Sequence, residues 1–228
     1  MGELRSRLDA LDARIADAAR ASGRDPAELT RIVVTKFHPA SLVADLHELG
    51  VRDVGENRQQ ELTAKRAALP SLDGLTWHFI GQAQTKKARA IRAAAAVVHS
   101  VDRDRLADAL HAADPDGPTL DVLLQVNLTD DPSRGGVRPD GLEALATHVA
   151  ARCPSLRTRG VMAVAPLDEP PAAAFARLAA ASSTLRAVVP DAEWISAGMS
   201  ADFAEAIVAG ATHLRIGSAI TGPRVVPG

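Results

Sequence analysis

The sequence predicts an α/β fold, a single (β/α)8 barrel of the TIM type with an additional N-terminal helix. Eight short apolar runs alternate with segments of helical period along the chain. These runs are apolar on both faces, as buried parallel strands require. No G-x-G-x-x-G follows the first run, which disfavours the alternative, a doubly wound sheet with a Gly-rich first turn. The eightfold alternation therefore favours the closed barrel.

The predicted strands are short, and all but the last precede a helical stretch. In chain order they are Arg31–Thr35, Asp53–Gly55, Thr76–Ile80, Ala96–Ser100, Leu120–Asn127, Arg159–Ala163, Glu193–Ser196 and Thr212–Ile216.

The first predicted helix, Glu3–Ala21, is amphipathic and charged, and we expect residues 1–22 to pack on the barrel. Pro170 and Pro171 stand where a helix would start. Ser200 and Gly210 have the residue types of an N-cap and a C-cap for a helix at 202–209. The later helices are Ala40–Leu49, Gln59–Ala68, Thr85–Ala95, Arg103–Ala113, Gly141–Ala151, Ala172–Val188 and Ala201–Ala209.

Bulk properties narrow the class of protein. The chain has 228 residues, and its net charge of -2 gives no electrostatic case for nucleic acid or an anionic membrane. Its single cysteine, Cys153, excludes an internal disulfide and fits a reducing compartment. The N-terminus lacks the pattern of a secretory signal, and the longest apolar run, at 93–98, is too short to span a bilayer. We expect one cytoplasmic, monomeric domain, residues 1–228, without nucleic-acid or membrane partners.

Lys36 is the first candidate functional residue, because it closes an apolar strand-like run. Partial desolvation at such a position favours the uncharged amine, which is the form that attacks a carbonyl. The alternative is a lysine whose stem packs at the strand end while its amine reaches water. The other three lysines, Lys65, Lys86 and Lys87, lie in polar helical stretches and need no functional explanation.

Small residues in the last two loops predict a phosphate site. Gly198-Met-Ser200 leads into a helix, so backbone N–H groups and the Ser200 hydroxyl can converge on an anion. Gly217 and Ser218 offer the same chemistry directly after the last strand. Barrels of this type commonly bind phosphate at these two loops. The alternative for each loop alone is ordinary helix capping or a tight turn.

Arg215 lies within the last predicted strand, where a buried arginine needs a partner. That partner is a carboxylate, such as Glu56 or Asp102, or a hydrogen-bond acceptor on a ligand. A nucleophilic lysine, a phosphate site and a strand arginine together describe a site for pyridoxal 5′-phosphate. Its aldehyde would condense with Lys36, and Arg215 would face the pyridine nitrogen. Because a guanidinium keeps its proton, such a site suits holding the cofactor better than demanding carbanion chemistry.

The chain resembles the pyridoxal phosphate homeostasis protein family, which is built like the N-terminal barrel of bacterial alanine racemases. The resemblance runs from about Ile32 to Gly222. Five segments in order carry it: Val33-Val-Thr-Lys36, Gly55-Glu-Asn57, Trp77-His-Phe-Ile-Gly-Gln82 with Gln84, Ser196-Ala-Gly-Met-Ser200 with Asp202, and Arg215-Ile-Gly-Ser218 with Gly222.

The resemblance implies roles for six residues. It makes Lys36 the Schiff-base residue and places Arg215 at the pyridine nitrogen. It assigns the phosphate to Ser200, Gly217 and Ser218 and places Asn57 near the cofactor. The chain departs from the family pattern in three segments, Phe37-His38-Pro39, Gln84-Thr-Lys-Lys87 and Arg134-Gly-Gly136. These departures put in doubt any role for the loop at 84–87.

Three functions follow from this site. The first is a carrier that holds pyridoxal phosphate reversibly, without catalytic turnover, and has the cofactor and recipient apo-enzymes as partners. The second is an amino-acid racemase, which needs an acid or base on each face of its substrate. The chain has no tyrosine to serve as the second base, and only His78 and His99 stand near the strand ends as substitutes. The third function is a Schiff base to a sugar phosphate. No residue cluster has convincing metal-ligand spacing.

Overall fold

A computed structural model describes residues 1–222 and shows a closed barrel of eight parallel strands. The strands follow one another around the barrel in chain order, and β8 pairs with β1 to close it. The predicted fold class, a (β/α)8 barrel with an extra N-terminal helix, is confirmed. In chain order the strands are β1 Thr30–Val34, β2 Asp53–Glu56, β3 Thr76–Phe79, β4 Val97–Val101, β5 Leu120–Gln125, β6 Leu156–Met162, β7 Trp194–Ser196 and β8 His213–Ile216.

Helices cover the outside of the barrel, and short 3-10 turns precede several of them. The 3-10 turns are Pro26–Glu28, Thr85–Lys87, Pro132–Arg134 and Pro139–Gly141. The helices are α1 Gly2–Ala21, α2 Ala40–Glu48, α3 Gln59–Ala68, α4 Ala88–Ala94, α5 Asp104–Ala113, α6 Leu142–Arg152, α7 Pro171–Val188, α8 Phe203–Val208 and α9 Ser218–Thr221.

Several element boundaries differ from the sequence predictions for local reasons. Strand β6 starts earlier than expected because Leu156 pairs with Leu120 on β5. Helix α4 starts later, since the residues from Thr85 form a 3-10 turn. Ser200 is not the N-cap of α8. That position belongs to Asp202, whose carboxylate accepts a hydrogen bond of 2.6 Å from the backbone N–H of Met199. The short helix α9 was not predicted.

The apolar core has two parts. The larger part lies between the strands and the outer helices, and the smaller one lies inside the barrel, where Val97, Leu123 and Met162 pack with Trp194. Helix α1 contributes one face to the larger part and contacts α8 and α9. The buried residues of that face recur at helical spacing and are Leu4, Leu8, Leu11, Ile15 and Ala19. No helix within residues 1–222 has both the length and the apolar character needed to cross a bilayer.

A buried ion pair joins β1, β2 and α3. The amine of Lys65 lies 2.6 Å from Oε1 of Glu56 and donates to the carbonyl of Thr35 at 2.7 Å. The hydroxyl of Thr35 donates to the same carboxylate oxygen. Glu56 is fully buried and Lys65 is 6% exposed, so the polar helical stretch did not reveal that this lysine is buried. Burial raises the pKa of Glu56, while Lys65 and Thr35 oppose that rise.

We predict that Lys65→Met destabilises the protein by about 3–5 kcal/mol, because the variant leaves a buried carboxylate without its cation. Denaturant unfolding at neutral pH measures the change. Lys86→Met is the matched control, since Lys86 is exposed, and it should leave stability within about 0.5 kcal/mol of the parent. Equal stability of the two variants would show that the pair contributes nothing.

Candidate functional site

A cavity of about 350 Å³ opens at the carboxyl ends of the strands. Its volume falls within the usual range for small-molecule sites. The structure brings all six residues predicted from the sequence to the wall of this one cavity. They are Lys36, Asn57, Ser200, Arg215, Gly217 and Ser218.

A tight turn after β1 carries Lys36. The next residue, Phe37, has a φ of 68°, and it is the one non-glycine with positive φ in the described part of the chain. A bulky residue rarely adopts this conformation, so the fold must hold the turn in place. Glu61 on α3 does so by accepting a hydrogen bond of 2.9 Å from the Phe37 N–H. The guanidinium of Arg58 also lies 4.9 Å from the centre of the Phe37 ring.

The Lys36 side chain is partly exposed, and its amine makes no hydrogen bond or ion pair with any residue among 1–222. Its neighbour in sequence, Thr35, is by contrast fully buried and bonded to Glu56. The fold therefore anchors the turn on both sides of Lys36 and leaves the amine itself available to a ligand in the cavity.

The loops after β7 and β8 form the opposite part of the wall. Gly198 has a φ of +88°, and a Cβ there would lie 2.8 Å from the Cβ of Ala206, so this turn requires glycine. Three hydroxyl groups, those of Ser200, Ser218 and Thr221, belong to residues that line the cavity. None of them bonds to another residue of the described chain. Such a set of donors suits an anionic ligand group. Sequence reasoning did not identify Thr221.

Arg215 is 5% exposed and reaches the cavity from the barrel interior. Its guanidinium donates to Ser196 Oγ at 2.7 Å and to the carbonyl of Ala163 at 2.8 Å. Both acceptors are neutral, so neither carboxylate suggested by the sequence is its hydrogen-bond partner. Burial lowers the pKa of Arg215 to about 10, and the nearby charge of Asp202 opposes that fall. The side chain therefore stays cationic at neutral pH.

The two carboxylates expected for Arg215 are used elsewhere. Glu56 pairs with Lys65 beneath the Lys36 turn. Asp102 pairs with Arg103 and accepts a hydrogen bond from the Gly136 N–H at 3.2 Å. Arg215 is thus a buried cation whose hydrogen-bond acceptors, the Ser196 hydroxyl and the Ala163 carbonyl, are neutral. Its remaining N–H groups are available to an acceptor on a ligand.

Asn57 supplies a polar group that the protein does not satisfy. Its Oδ1 atom is buried and has no hydrogen-bond partner among the described residues. A buried acceptor of this kind is costly unless something else pairs with it, which a bound ligand can do. The backbone of Asn57 also explains part of the motif at 77–82. A Cβ on Gly81 would lie 1.9 Å from the Asn57 carbonyl oxygen, so only glycine fits there.

His38 lines the cavity, although the sequence marked it only as a departure from a family pattern. Burial lowers the pKa of His38, and the charges of Lys65 and Arg7 lower it further, so the imidazole is neutral at physiological pH. Its position two residues after Lys36 was the one feature of the sequence that could have placed His38 at the cavity. Apolar contacts at the mouth come from Ile80, Val164 and Met199.

The two histidines considered as a second base do not reach the cavity. His78 is 1% exposed and His99 is fully buried. Their rings hydrogen-bond to each other, with 2.9 Å between Nδ1 of His78 and Nε2 of His99. Neither lines the cavity wall. A third histidine, His213, is also buried, and its ring packs 4.3 Å from that of Trp194.

Two other polar clusters lie away from this cavity. A groove of about 750 Å³ runs between the loops after β5 and β6, and its wall holds charges of both signs, including the pair of Arg177 and Glu169. Asp108, His148 and Cys153 place one ligand atom each within 4.8 Å of one another. His148 and Asp108 already share a hydrogen bond of 2.7 Å, and burial raises the pKa of Cys153 to about 11.

Comparison with known proteins places the chain among close relatives. The family described as alanine racemase, N-terminal domain, matches residues 6–225. The pyridoxal phosphate homeostasis protein of Pseudomonas aeruginosa is 42% identical over 229 residues, which cover 98% of this chain and 97% of the relative. The protein of the same name from Escherichia coli is 37% identical over 230 residues, covering 98% of each chain.

Comparison with solved structures also finds proteins similar to this chain. PipY of Synechococcus elongatus with PLP bound is similar with a TM-score of 0.84 at 32% identity, covering 96% of this chain and 100% of PipY. The alanine racemase of Corynebacterium glutamicum has a TM-score of 0.68 at 17% identity. That match covers 97% of this chain and 62% of the racemase, and it shows a shared fold alone.

Because His99 and His213 are buried, we predict that the folded protein loses stability in acid. Burial lowers the pKa of His213 to about 3 and holds that of His99 well below its ordinary value. Below about pH 6.5 the unfolded chain binds protons that the folded chain does not, so stability is complete above that pH and falls as the pH falls. We expect His213 to lower the unfolding free energy by up to about 2 kcal/mol between pH 6.5 and pH 5, and His99 to act in the same direction.

Denaturant unfolding at several pH values measures this fall. His213→Gln should make it smaller, because glutamine does not titrate. His47→Gln is the control, since His47 is only partly buried and bonds to the carbonyl of Asp73. A fall of the same size in the parent and in His213→Gln would show that His213 is not responsible.

Proposed function

This chain belongs to the pyridoxal phosphate homeostasis protein family, and from that premise we propose that it holds pyridoxal 5′-phosphate as a Schiff base on Lys36. One observation carries the proposal. A single cavity gathers an available lysine amine, a buried arginine guanidinium and three hydroxyl groups without partners in the described chain. These groups match the aldehyde, the ring nitrogen and the phosphate of that cofactor.

Lys36 is the nucleophile in this proposal. When bound, the cofactor supplies an aldehyde that condenses with the Lys36 amine and releases water. The protein's part is to hold that amine at the cavity. The hydrogen bond from Phe37 to Glu61 and the bonds of Thr35 to Glu56 and Lys65 fix the turn on either side of the lysine.

Ser200, Gly217 and Ser218 would hold the phosphate, with Thr221 beside them. Ser200 lies in the loop between β7 and α8, whereas Gly217 and Ser218 follow β8. The anion would therefore tie these two loops together. Helix α9 begins at Ser218, and its Ile220 and Thr221 N–H groups bond to the Gly217 carbonyl, whereas those of Ser218 and Ala219 lie before the first helical acceptor. Asn57 would use its unpaired buried oxygen to accept a hydrogen bond from the ligand.

Arg215 would donate to the ring nitrogen. Because its pKa stays near 10, the guanidinium keeps its protons at neutral pH and leaves that nitrogen as an acceptor. A site of this kind withdraws few electrons from the ring, which favours holding the cofactor over carbanion chemistry.

The described residues of the cavity wall do not form the arrangement that a two-base racemase needs. Its ionisable wall residues, among those the structure describes, are Lys36, His38 and Arg215. Lys36 and His38 belong to one turn, so both reach the cavity from the same wall. A racemase needs its two acid–base groups on opposite faces of the substrate. We infer that the chain stores the cofactor, as a cytoplasmic monomer, and releases it to apo-enzymes rather than turning over amino acids.

The Lys36 assignment predicts the position of a chemical label. Incubation with pyridoxal phosphate should give a visible absorbance band, and borohydride reduction should fix the cofactor on Lys36, as read by peptide mass spectrometry. Lys36→Ala should lose the band while its far-UV circular dichroism stays unchanged, because this side chain makes no bond within residues 1–222. Lys86→Ala is the matched control. Recovery of the label on Lys65, Lys86 or Lys87 would refute the assignment.

The phosphate assignment predicts a selective loss of affinity. Ser200→Ala should weaken binding of pyridoxal phosphate by roughly tenfold, since a hydrogen bond to a charged group is worth about 1.5–3 kcal/mol. Binding of pyridoxal, which lacks the phosphate, should not change. Ser183→Ala, on the exposed face of α7, is the control. Equal weakening for both vitamers would place Ser200 outside the phosphate site.

A further inference from the structure

A continuous line of hydrogen bonds joins Arg215 to the opposite end of the barrel. Arg215 donates to Ser196 Oγ at 2.7 Å, and Ser196 Oγ lies 2.9 Å from Nδ1 of His99. Nε2 of His99 lies 2.9 Å from Nδ1 of His78, and Nε2 of His78 lies 2.9 Å from Oδ1 of Asp53. The five side chains come from β8, β7, β4, β3 and β2. They therefore cross the interior of the barrel beside its small apolar cluster.

With both imidazoles neutral, the acceptor-only carboxylate of Asp53 at one end and the donor-only guanidinium of Arg215 at the other fix the direction of every bond. A guanidinium only donates, so the oxygen of Ser196 accepts and its hydrogen goes to Nδ1 of His99. His99 then carries its proton on Nε2 and donates to Nδ1 of His78. His78 in turn donates from Nε2 to the carboxylate of Asp53, which only accepts. All four bonds run the same way, from the cavity to Asp53, without a conflict.

This direction requires a neutral His99, because a protonated ring would have no acceptor for Ser196. Burial lowers the pKa of His99 well below its ordinary value, and the nearby charge of Arg215 acts in the same sense. A neutral imidazole has one donor and one acceptor, and in His99 both are used. In this arrangement both ring nitrogens of His78 are used as well. The line is thus complete, and any change of tautomer would leave a buried group unpaired.

Ser196 is held in one orientation by this line. Because its hydrogen is committed to His99, a lone pair faces Arg215. Without that acceptor, the guanidinium would keep only its bond to the carbonyl of Ala163. A long side chain held at one point can rotate, whereas one held at two points cannot. The line therefore determines where the free N–H groups of Arg215 point.

We propose that Ser196, His99, His78 and Asp53 are positioning residues, which fix Arg215 so that it presents an N–H group to the ring nitrogen of the bound cofactor. This inference rests on the proposed function, because it assumes the cofactor and the role of Arg215. It adds that residues remote from the cavity, including Asp53 at the amino end of β2, set the strength of that one contact.

A pair of ligands that differ only at the ring nitrogen tests the proposal. Dissociation constants are measured for pyridoxal phosphate and for its 1-deaza analogue, in which a C–H group replaces the nitrogen. The parent should prefer pyridoxal phosphate by roughly tenfold or more, the worth of a hydrogen bond to a charged group. Ser196→Ala should remove most of that preference and change the affinity for the analogue by less than about twofold. Ser100→Ala is the matched control, since its buried hydroxyl has no hydrogen-bond partner among residues 1–222.

A variant at the far end separates positioning from local packing. Asp53 is 28% exposed on its side chain, so the barrel tolerates changes there better than at His99. Asp53→Leu should reduce the preference for pyridoxal phosphate by roughly threefold, because His78 loses the acceptor that fixes its tautomer. Asp53→Asn should keep the preference of the parent, since the asparagine amide oxygen can accept the same hydrogen bond from His78. Asp12→Leu is the control, because Asp12 pairs with Arg31 outside the line.

The possible outcomes separate the two proposals. A parent protein that binds neither ligand overturns the proposed function itself. A parent that binds both equally shows that Arg215 does not contact the ring nitrogen, which overturns the positioning proposal and the Arg215 assignment but leaves the Schiff base on Lys36 standing. A parent preference that survives Ser196→Ala and Asp53→Leu, or an equal loss of affinity for both ligands, also overturns the positioning proposal. The positioning proposal is supported if Ser196→Ala and Asp53→Leu lose affinity for pyridoxal phosphate but not for the analogue, while Asp53→Asn keeps the preference of the parent.

Discussion

The pairing of β8 with β1 is the constraint on which the whole site depends. Four residue pairs join the two strands, from Thr30 with His213 to Val33 with Ile216. Because the strands are parallel, their carboxyl ends meet at one rim, although they stand at opposite ends of the sequence. Gly217 accordingly lies against Val34, because a Cβ placed on Gly217 would lie 3.6 Å from the Cβ of Val34. The lysine turn and the serine loop become neighbours only because the barrel closes.

Two buried polar networks support the lysine and the arginine of the cavity. Glu56, Lys65 and Thr35 support the turn that carries Lys36, and the line from Ser196 to Asp53 supports Arg215. A barrel filled with apolar side chains would be simpler to pack, and each buried polar atom must find a partner. The structure places these polar groups where the direction of a nearby side chain matters most, directly below the cavity.

The sequence predicted the barrel and five of the six expected cavity residues, because strand ends can be located from periodicity and barrels place their sites at strand ends; the sixth, Asn57, came from the family resemblance. It could not predict how those residues are supported. The partner of Arg215 proved to be Ser196 and a carbonyl instead of a carboxylate, since register across the barrel decides which side chains meet. Lys65 was placed in a polar helix, yet one face of that helix is buried. His38 and Thr221 line the cavity but carry no distinctive pattern in the sequence.

Burial of Lys65 also has a chemical consequence for the chain as a whole. A reactive aldehyde condenses with any free amine, but an arginine guanidinium stays protonated and is a poor nucleophile. Only four of the 26 lysines and arginines are lysines, and the ion pair with Glu56 engages one of those four inside the protein. Few side-chain amines are thus left to compete with Lys36 for the aldehyde in the Schiff base that we propose. Chemoselectivity is therefore a property of the composition of this protein as well as of its cavity.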